Sequence, residues 1–462
     1  MSVQSEITRL SDNVTAALAA IAGKGVTVPN GSNSNSLASL IAAIEAGGGG
    51  GGTAAPVSMK DVNFYDYDGT LIASYTLAEA QALTALPEGP THDGLIFQGW
   101  NWTLEKINAL TRPMNVGAMY ITDDGKTRLH IRVWDKARST VPLYFSQTVA
   151  NGVTIDWGDG SAAETISGTG NVNTSHAYAE PGDYTISLAV ADGCTLGLGW
   201  NSGSYCVMGS TGDSGKVYCN LLQSVNIGAC VTSIGSYSFY ASYSLASITI
   251  PISVTNIGSY VFEYCYSLAS LTIPEGITEI NVALCSYCCS LICVSIPDGV
   301  TRILGNAFEY CYSLASLTIP EGITETYVYS IQHCNSLVSL IIPDGVTYIG
   351  NYSIRSCYSL ASLTIPEGVT GIGSYSIQDC RCLASITIPE SVTRIYSCAF
   401  KYCYGMAEYH LKPTTPPTLS STDAFSGIPS DCVIYVPQGC LDAYQTATNW
   451  SNYASYMQEE PA

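Results

Sequence analysis

Apolar positions recur every 23 residues over much of this chain. Prolines stand at Pro251, Pro274, Pro297, Pro320, Pro343, Pro366 and Pro389 without insertion or deletion. A cysteine follows each by fourteen residues: Cys265, Cys288, Cys311, Cys334, Cys357, Cys380 and Cys403. A weaker copy, Val225 to Ser247, precedes them, with Gly228 for the proline and Ser242 for the cysteine. Apolar residues fall three, six, eleven, fourteen, seventeen, twenty and twenty-two places after each proline; in one copy these are Val300, Ile303, Phe308, Cys311, Leu314, Leu317 and Ile319. Such a period marks a solenoid, in which each coil covers its neighbour's apolar face. Each buried side chain contributes roughly 1.5–3 kcal/mol. The closing Leu-x-x-Leu-x-Ile alternates as a strand, so successive copies stack into a parallel sheet, and eight coils span roughly 38 Å. Cys285 and Thr326 interrupt the ladder with smaller residues at core slots.

Upstream the pattern differs. Ile7, Leu10, Val14, Leu18 and Ile21 form a helical stripe, and Leu37 to Glu45 a second short helix. Six glycines, Gly47 to Gly52, then end regular structure, separating their ends by roughly 13 Å as a flexible linker. Val62 to Tyr65 and Thr70 to Tyr75 read as paired strands around the turn Asp66-Tyr67-Asp68-Gly69, followed by a helix over Leu77 to Leu86. Strands are predicted over Arg128–Trp134, Val141–Ser146, Gly152–Trp157 and Tyr184–Val190. The expected organisation is a helical attachment or oligomerisation segment (1–46), a linker (47–56), a small β module (57–111), a β sandwich (112–192), a solenoid N-terminal cap (193–224), the repeats (225–411) and a C-terminal cap (412–462). The fold class is multidomain and mainly β.

Composition narrows the function. Acidic residues outnumber basic ones 37 to 17, for a net charge of −20. Nucleic acid and anionic membrane need clustered Lys and Arg, so neither is expected as a partner. Neither a transmembrane run nor a secretory signal is read in the sequence, and the expectation is synthesis and retention in the cytosol, with reduced thiols. The 18 cysteines lie between Cys194 and Cys440. Those of the ladder read as small buried apolar residues rather than disulfides or metal ligands; no His completes a zinc spacing around Cys285, Cys288 and Cys289. No cofactor is expected.

Several segments resemble known families. Asp66-Tyr67-Asp68-Gly69-Thr70-Leu71 is similar to the nucleophile loop of haloacid-dehalogenase phosphatases, which would make Asp66 nucleophile and Asp68 acid/base. That fold needs strands and helices alternating around a parallel sheet, and residues 112–190 read as strands. Asn63 to Thr70 with Pro90 to Trp100, ending Phe97-Gln98-Gly99-Trp100, resembles instead the internalin-type B-repeat, a β-grasp spacer in which the Asp pair is turn chemistry. Ile155-Asp156-Trp157-Gly158-Asp159-Gly160 with Ser175-His176-Ala177-Tyr178 and Pro181 to Thr185 resembles a PKD domain, an immunoglobulin-like sandwich. Asp156 and Asp159 are read as turn carboxylates in preference to calcium ligands. Ala307-Phe308-Glu309-Tyr310-Cys311-Tyr312-Ser313-Leu314, continuing to Pro320, resembles the BspA-type leucine-rich repeat; Ala424 to Gly427, Ile434 to Pro437 and Asp442 to Trp450 resemble its closing segment. That resemblance implies adhesion and binding of protein or glycan, not catalysis.

Variation among the copies locates a candidate surface. Outward strand positions stay small, as Ser or Thr, while the slots flanking the ladder cysteine vary. The candidate binding residues are Tyr264, Tyr266, Tyr287, Tyr310, Tyr312, His333, Asn335, Tyr358, Asp379, Arg381, Tyr402 and Tyr404. Tyrosine suits recognition because it offers a large amphipathic surface with little rotamer entropy to lose. The leading expectation is a non-catalytic receptor-binding protein of a phage virion, tail-associated and made in the host cytoplasm, that engages a host surface protein or glycan. Residues 1–46 would join it to other virion proteins or to its own copies, as in a trimer. A bacterial cell-surface adhesin is the second reading, and a phosphatase using Asp66 and Asp68 the third.

Overall fold

The computed structural model describes residues 60–200, 205–324 and 330–461, which form one compact unit. The helices expected near Ile7–Ile21 and Leu37–Glu45, the glycine linker and Thr326 lie outside the described residues.

The first module is a four-stranded sheet. Its strands are β1 (Val62–Tyr65), β2 (Leu71–Tyr75), β3 (Leu95–Trp100) and β4 (Met114–Thr122), in the order β2-β1-β4-β3. The β1–β4 pair is parallel and the outer pairs are antiparallel. Thr76 starts the helix Leu77–Gln81 with a capping box shared with Glu79. The helix ends five residues before the expected Leu86. There the Leu83 carbonyl accepts from Asn108 Nδ2 at 3.1 Å, and the Gln81 side chain donates to the Leu110 carbonyl at 2.6 Å. The module also runs past the expected boundary at residue 111, because β4 is one of its two central strands. Met114, Val116, Ala118 and Tyr120 of β4 face the module's own core with Phe64 and Trp100. Asn115, Gly117 and Met119, on the opposite face, are buried as well. A strand covered on both faces gives no clean alternation, which is why its sequence conceals its place.

Two further sheets follow. Strands β5 (Thr127–Val133), β6 (Thr140–Gln147), β7 (Val153–Asp156), β8 (Glu164–Ile166), β9 (Gly170–Ala177), β10 (Gly182–Val190) and β11 (Leu196–Leu198) divide between them. One sheet holds β5-β10-β7-β8 and the other β11-β6-β9. Strand β9 was not anticipated: its sequence, Gly-Asn-Val-Asn-Thr-Ser-His-Ala, is polar, and it lies at a sheet edge with no fully buried residue.

Both sheets run on into the solenoid. Leu222–Asn226 pairs antiparallel with β5 and parallel with Ser247–Thr249 of the next coil. Val231–Ile234 pairs parallel with β11 and with Asn256–Ile257. The stretch 193–224, expected as the solenoid's N-terminal cap, holds β11 and the start of Leu222–Asn226, which join the edges of these two sheets to the first coil. This closes the solenoid's open end without an exposed strand edge. One apolar core extends from Leu129 to Met457.

Most described coils have two short strands and one turn edge; at Ser316 the first ladder is reduced to an isolated bridge to Cys293. The first ladder runs through Ser270–Thr272, Cys293–Ser295, Ser339–Ile341, Ser362–Thr364 and Ser385–Ile388, the second through Glu279–Ile280, Arg302–Ile303, Tyr348–Ile349, Gly371–Ile372 and Arg394–Ile395. Strand pairings between these coils are parallel and in 23-residue register, as in Ser339 with Ser362. The seven expected inward slots hold in the copy after Pro297, where Val300, Ile303, Phe308, Cys311, Leu314, Leu317 and Ile319 are at most 5% exposed. Proline ends the strand because it has no N–H to donate, while its carbonyl accepts from the residue three on, as Val300 N to Pro297 O at 3.2 Å. At the far end Trp450 is fully buried and donates to the Pro417 carbonyl at 2.7 Å, and Phe425 stacks on Phe400.

Candidate functional site: the tyrosine-rich turn edge

The turn edge is built from two left-handed residues in each coil. Residues nine and thirteen places after the proline have φ between 52° and 65° in the described coils; examples are Tyr260 with Tyr264, Asn306 with Tyr310, and Tyr375 with Asp379. Side chains other than Gly, Asn and Asp rarely adopt this conformation. Here it aims backbone N–H groups along the solenoid axis. Tyr264 N donates to Ser286 O at 2.9 Å, Tyr287 N to Glu309 O at 2.7 Å, and Tyr310 N to Gln332 O at 3.0 Å. A hydrogen bond to the next coil at each of these turns offsets the local strain.

The ladder cysteine has a matching task. Each Sγ donates to the backbone carbonyl 26 residues earlier: Cys265 to Phe239, Cys288 to Phe262, Cys311 to Cys285, Cys334 to Phe308, Cys357 to Ile331, Cys380 to Ile354 and Cys403 to Ile377, all at 3.1–3.3 Å. The slot therefore needs a small apolar side chain that also carries a weak donor, which cysteine supplies. Burial pushes the thiols of Cys265, Cys288, Cys311, Cys334, Cys380 and Cys403 up, so they stay protonated donors. Every described cysteine is a free thiol.

Aromatic rings stack outside this frame. Tyr264, Tyr287, Tyr310 and His333 form one column, with successive centroids 4.8, 4.4 and 4.4 Å apart. Tyr266 and Tyr312 contact that column edge-on through Tyr264 and Tyr310. Further along, the Arg381 guanidinium lies 4.4 Å above the Tyr358 ring and forms a two-pronged pair with Asp379. Tyr402 and Tyr404 stack on each other and are 38% and 54% exposed. Asn335 sits between the two groups with its side-chain oxygen lacking a hydrogen-bond partner. All twelve candidate residues thus occupy one edge, as an aromatic group over the earlier coils and a mixed aromatic and charged group over the later ones.

Sequence reasoning missed two further aromatic pairs. Tyr237 stacks on Tyr260 at 4.8 Å, and Tyr352 on Tyr375 at 4.7 Å, at the other left-handed slot. Their 23-residue spacing was the available signal. Glu263 and Glu309, in the same turns, are half-buried. Burial pushes the Glu263 carboxyl up to about 7; the charge of Glu309 adds to this and Lys216 opposes it. Burial also raises Glu309, against hydrogen bonds from Asn306 and Gln332.

The other chemical candidates resolve into turn and packing roles. Asp66 is buried in the β1–β2 turn, where Oδ1 accepts from Tyr67 N at 2.8 Å and Oδ2 lies 2.7 Å from His92 Nε2. Asp68 accepts from Thr70 N. This turn belongs to a hairpin in a mixed sheet, whereas the haloacid-dehalogenase loop it resembles belongs to a fold of alternating strands and helices around a parallel one. Asp156 accepts from Gly158 N, and Asp159 from Ser161 N with His176 Nε2 at 2.7 Å, so each closes a turn.

Two strand ladders, proline-ended coils and a bonded turn edge define the C-terminal part as a leucine-rich-repeat solenoid. The model of the BspA type leucine rich repeat region, in six copies, matches residues 216–313 and 283–407. Residues 216–407 are accordingly a BspA-type leucine-rich repeat region, and the two N-terminal β modules fall outside the match. Among solved structures, the T. pallidum leucine-rich repeat protein TpLRR is 29% identical over 33% of this chain and 72% of its own, with a TM-score of 0.32. A leucine rich cell surface protein from Faecalibacterium prausnitzii A2-165 is 24% identical over 54% and 86%, with a TM-score of 0.27. The pneumococcal vaccine antigen PcpA is 17% identical over 51% and 67%, with a TM-score of 0.35. No curated protein matches the chain. Among the described residues no helix is long and apolar enough to cross a membrane.

Proposed function

We propose that this chain is a non-catalytic adhesion or receptor-binding protein that recognises a host surface protein or glycan through the turn edge of its repeats. The observation that carries this reading is the ordered row of tyrosines, held by backbone and stacking contacts and still partly open to solvent at Tyr312, Tyr402 and Tyr404. Rigid aromatic residues lose little entropy on binding and are enriched where binding energy concentrates. Display on a phage particle, with residues 1–46 as attachment segment, is the leading form of this proposal. Display on a bacterial surface is the second, and the repeat type supports it equally. Replacing Tyr310, Tyr312, Tyr358 and Tyr404 together by Ser should abolish adhesion to host cells while leaving the fold intact by circular dichroism. Undiminished adhesion would reject the turn edge. Electron microscopy of purified particles against fractionation of unlysed cells separates the two locations.

A further inference from the structure

The residue after each repeat proline is acidic in six successive copies: Glu275, Asp298, Glu321, Asp344, Glu367 and Glu390. Coils spaced about 4.8 Å apart set these carboxylates in a row, where neighbours repel by roughly 1 kcal/mol in water. The first module answers the first half of the row. Lys106 Nζ lies 2.8 Å from Asp298 and 3.8 Å from Glu275, and Arg112 Nε lies 3.1 Å from Glu321. Beside these ion pairs β4 crosses the Ser/Thr face of the same coils. Asn101 Oδ1 accepts from Ser295 Oγ at 2.9 Å, Asn115 Nδ2 donates to Ser316 Oγ at 2.8 Å, and Thr318 Oγ1 donates to the Pro113 carbonyl at 3.1 Å.

The same chemistry continues beyond the module, uncovered. Ser339, Ile341, Ser362, Thr364, Ser385 and Thr387 are exposed, and a shallow hollow of about 200 Å³ lies between Ser362–Ile365 and Ser385–Thr387. Asp344, Glu367 and Glu390 beside it are exposed. Among the described residues Asp344, Glu367 and Glu390 form no ion pair, and Asp344 lies within the electrostatic reach of Arg112. Arg112 itself is buried with Nη1 lacking a hydrogen-bond partner, at the point where the covered face ends.

We infer that the open face from Ser339 to Thr387, with Asp344, Glu367 and Glu390, is a second interaction surface, one that takes a basic polypeptide segment of a partner protein. The module shows the mode of recognition: Lys or Arg on the acidic row, and Asn or backbone groups on the Ser/Thr ladder. This surface stands apart from the tyrosine edge and does not depend on it.

The test uses the full chain and a fluorescent peptide with the sequence Leu104–Gly117, which carries Lys106, Arg112 and Asn115. Fluorescence anisotropy should show saturable binding that weakens as salt rises. The combined variant Asp344→Asn, Glu367→Gln, Glu390→Gln should weaken it about tenfold or more, through exposed charges that the fold does not need. The tyrosine-to-serine variant should bind the peptide unchanged. A peptide with Glu at both basic positions should not bind. Absence of saturable binding, or equal affinity of the charge-neutralised variant, would overturn the inference. So would dimerisation that this variant abolishes in sedimentation equilibrium, since the occupant would then be a second copy.

Discussion

Two stretches of one strand ladder share their sequence pattern and differ in their surroundings. Ser270, Thr272 and Ser295 are at most 9% exposed, whereas Ser362, Thr364, Ser385 and Thr387, at equivalent slots, are open to solvent. The difference lies in residues some 155–205 positions upstream, which cover the earlier coils. A periodic sequence therefore makes equivalent surfaces, and a non-periodic partner decides which of them remain available. Small hydroxyl side chains suit both fates, since they bond water as readily as an Asn from the module.

The largest test of this contrast is Gly117→Ala. A Cβ there would stand 2.1 Å from Thr272 Oγ1 and 2.7 Å from its Cγ2, inside the contact between β4 and the repeats. Overpacking of this kind costs about 1–3 kcal/mol. The variant should lower the midpoint of thermal unfolding and raise hydrogen exchange across residues 114–122. Unchanged exchange would mean that the module is held elsewhere.

A paired substitution sharpens the contrast. The Ser295 hydroxyl lies 2.9 Å from Asn101 Oδ1 and 2.7 Å from the Asn115 carbonyl and shares its one proton between these buried acceptors, so Ser295→Ala should cost about 1–3 kcal/mol. Thr364→Ala, at the same slot three coils on and exposed, should stay within about 0.5 kcal/mol. Chemical denaturation of the two variants checks this, and equal effects would refute the burial argument.

Two changes on the turn edge should leave the contrast intact. Tyr310→Ser removes a ring stacked between Tyr287 and His333 and should cost about 1 kcal/mol, without altering protection of residues 114–122. Glu263→Gln should act through pH. Its folded pKa, about 7, lies above the ordinary carboxylate value, so the folded chain binds the proton more tightly than the unfolded one. The resulting penalty is absent below about pH 4.5, grows as pH rises, and is full above about pH 7. Glu263→Gln should therefore raise the unfolding temperature at pH 8 and have little effect at pH 4.5. The gain is a fraction of the ~1.4 kcal/mol per pKa unit that a fully buried group would show, because this carboxyl is half-exposed to screening solvent. A gain that is the same at both pH values would assign the effect to packing.

By itself the sequence determined the solenoid. A fixed 23-residue period names the inward slots, places the prolines at strand ends, and puts the cysteines in the core, because every coil meets a near-copy of itself in register. It also gathered the candidate tyrosines on one edge. What it did not reveal depends on contacts that no local residue preference announces. The left-handed backbone at Tyr264, Tyr287 and Tyr310 goes against the residue's own preference and holds because the next coil accepts the N–H. The hydroxyl-bearing strand face looked uniform in sequence, and the module divides it, through Asn101, Lys106, Arg112 and Asn115. These are single polar side chains whose partners lie almost two hundred residues away, and local patterning carries no trace of so distant a match.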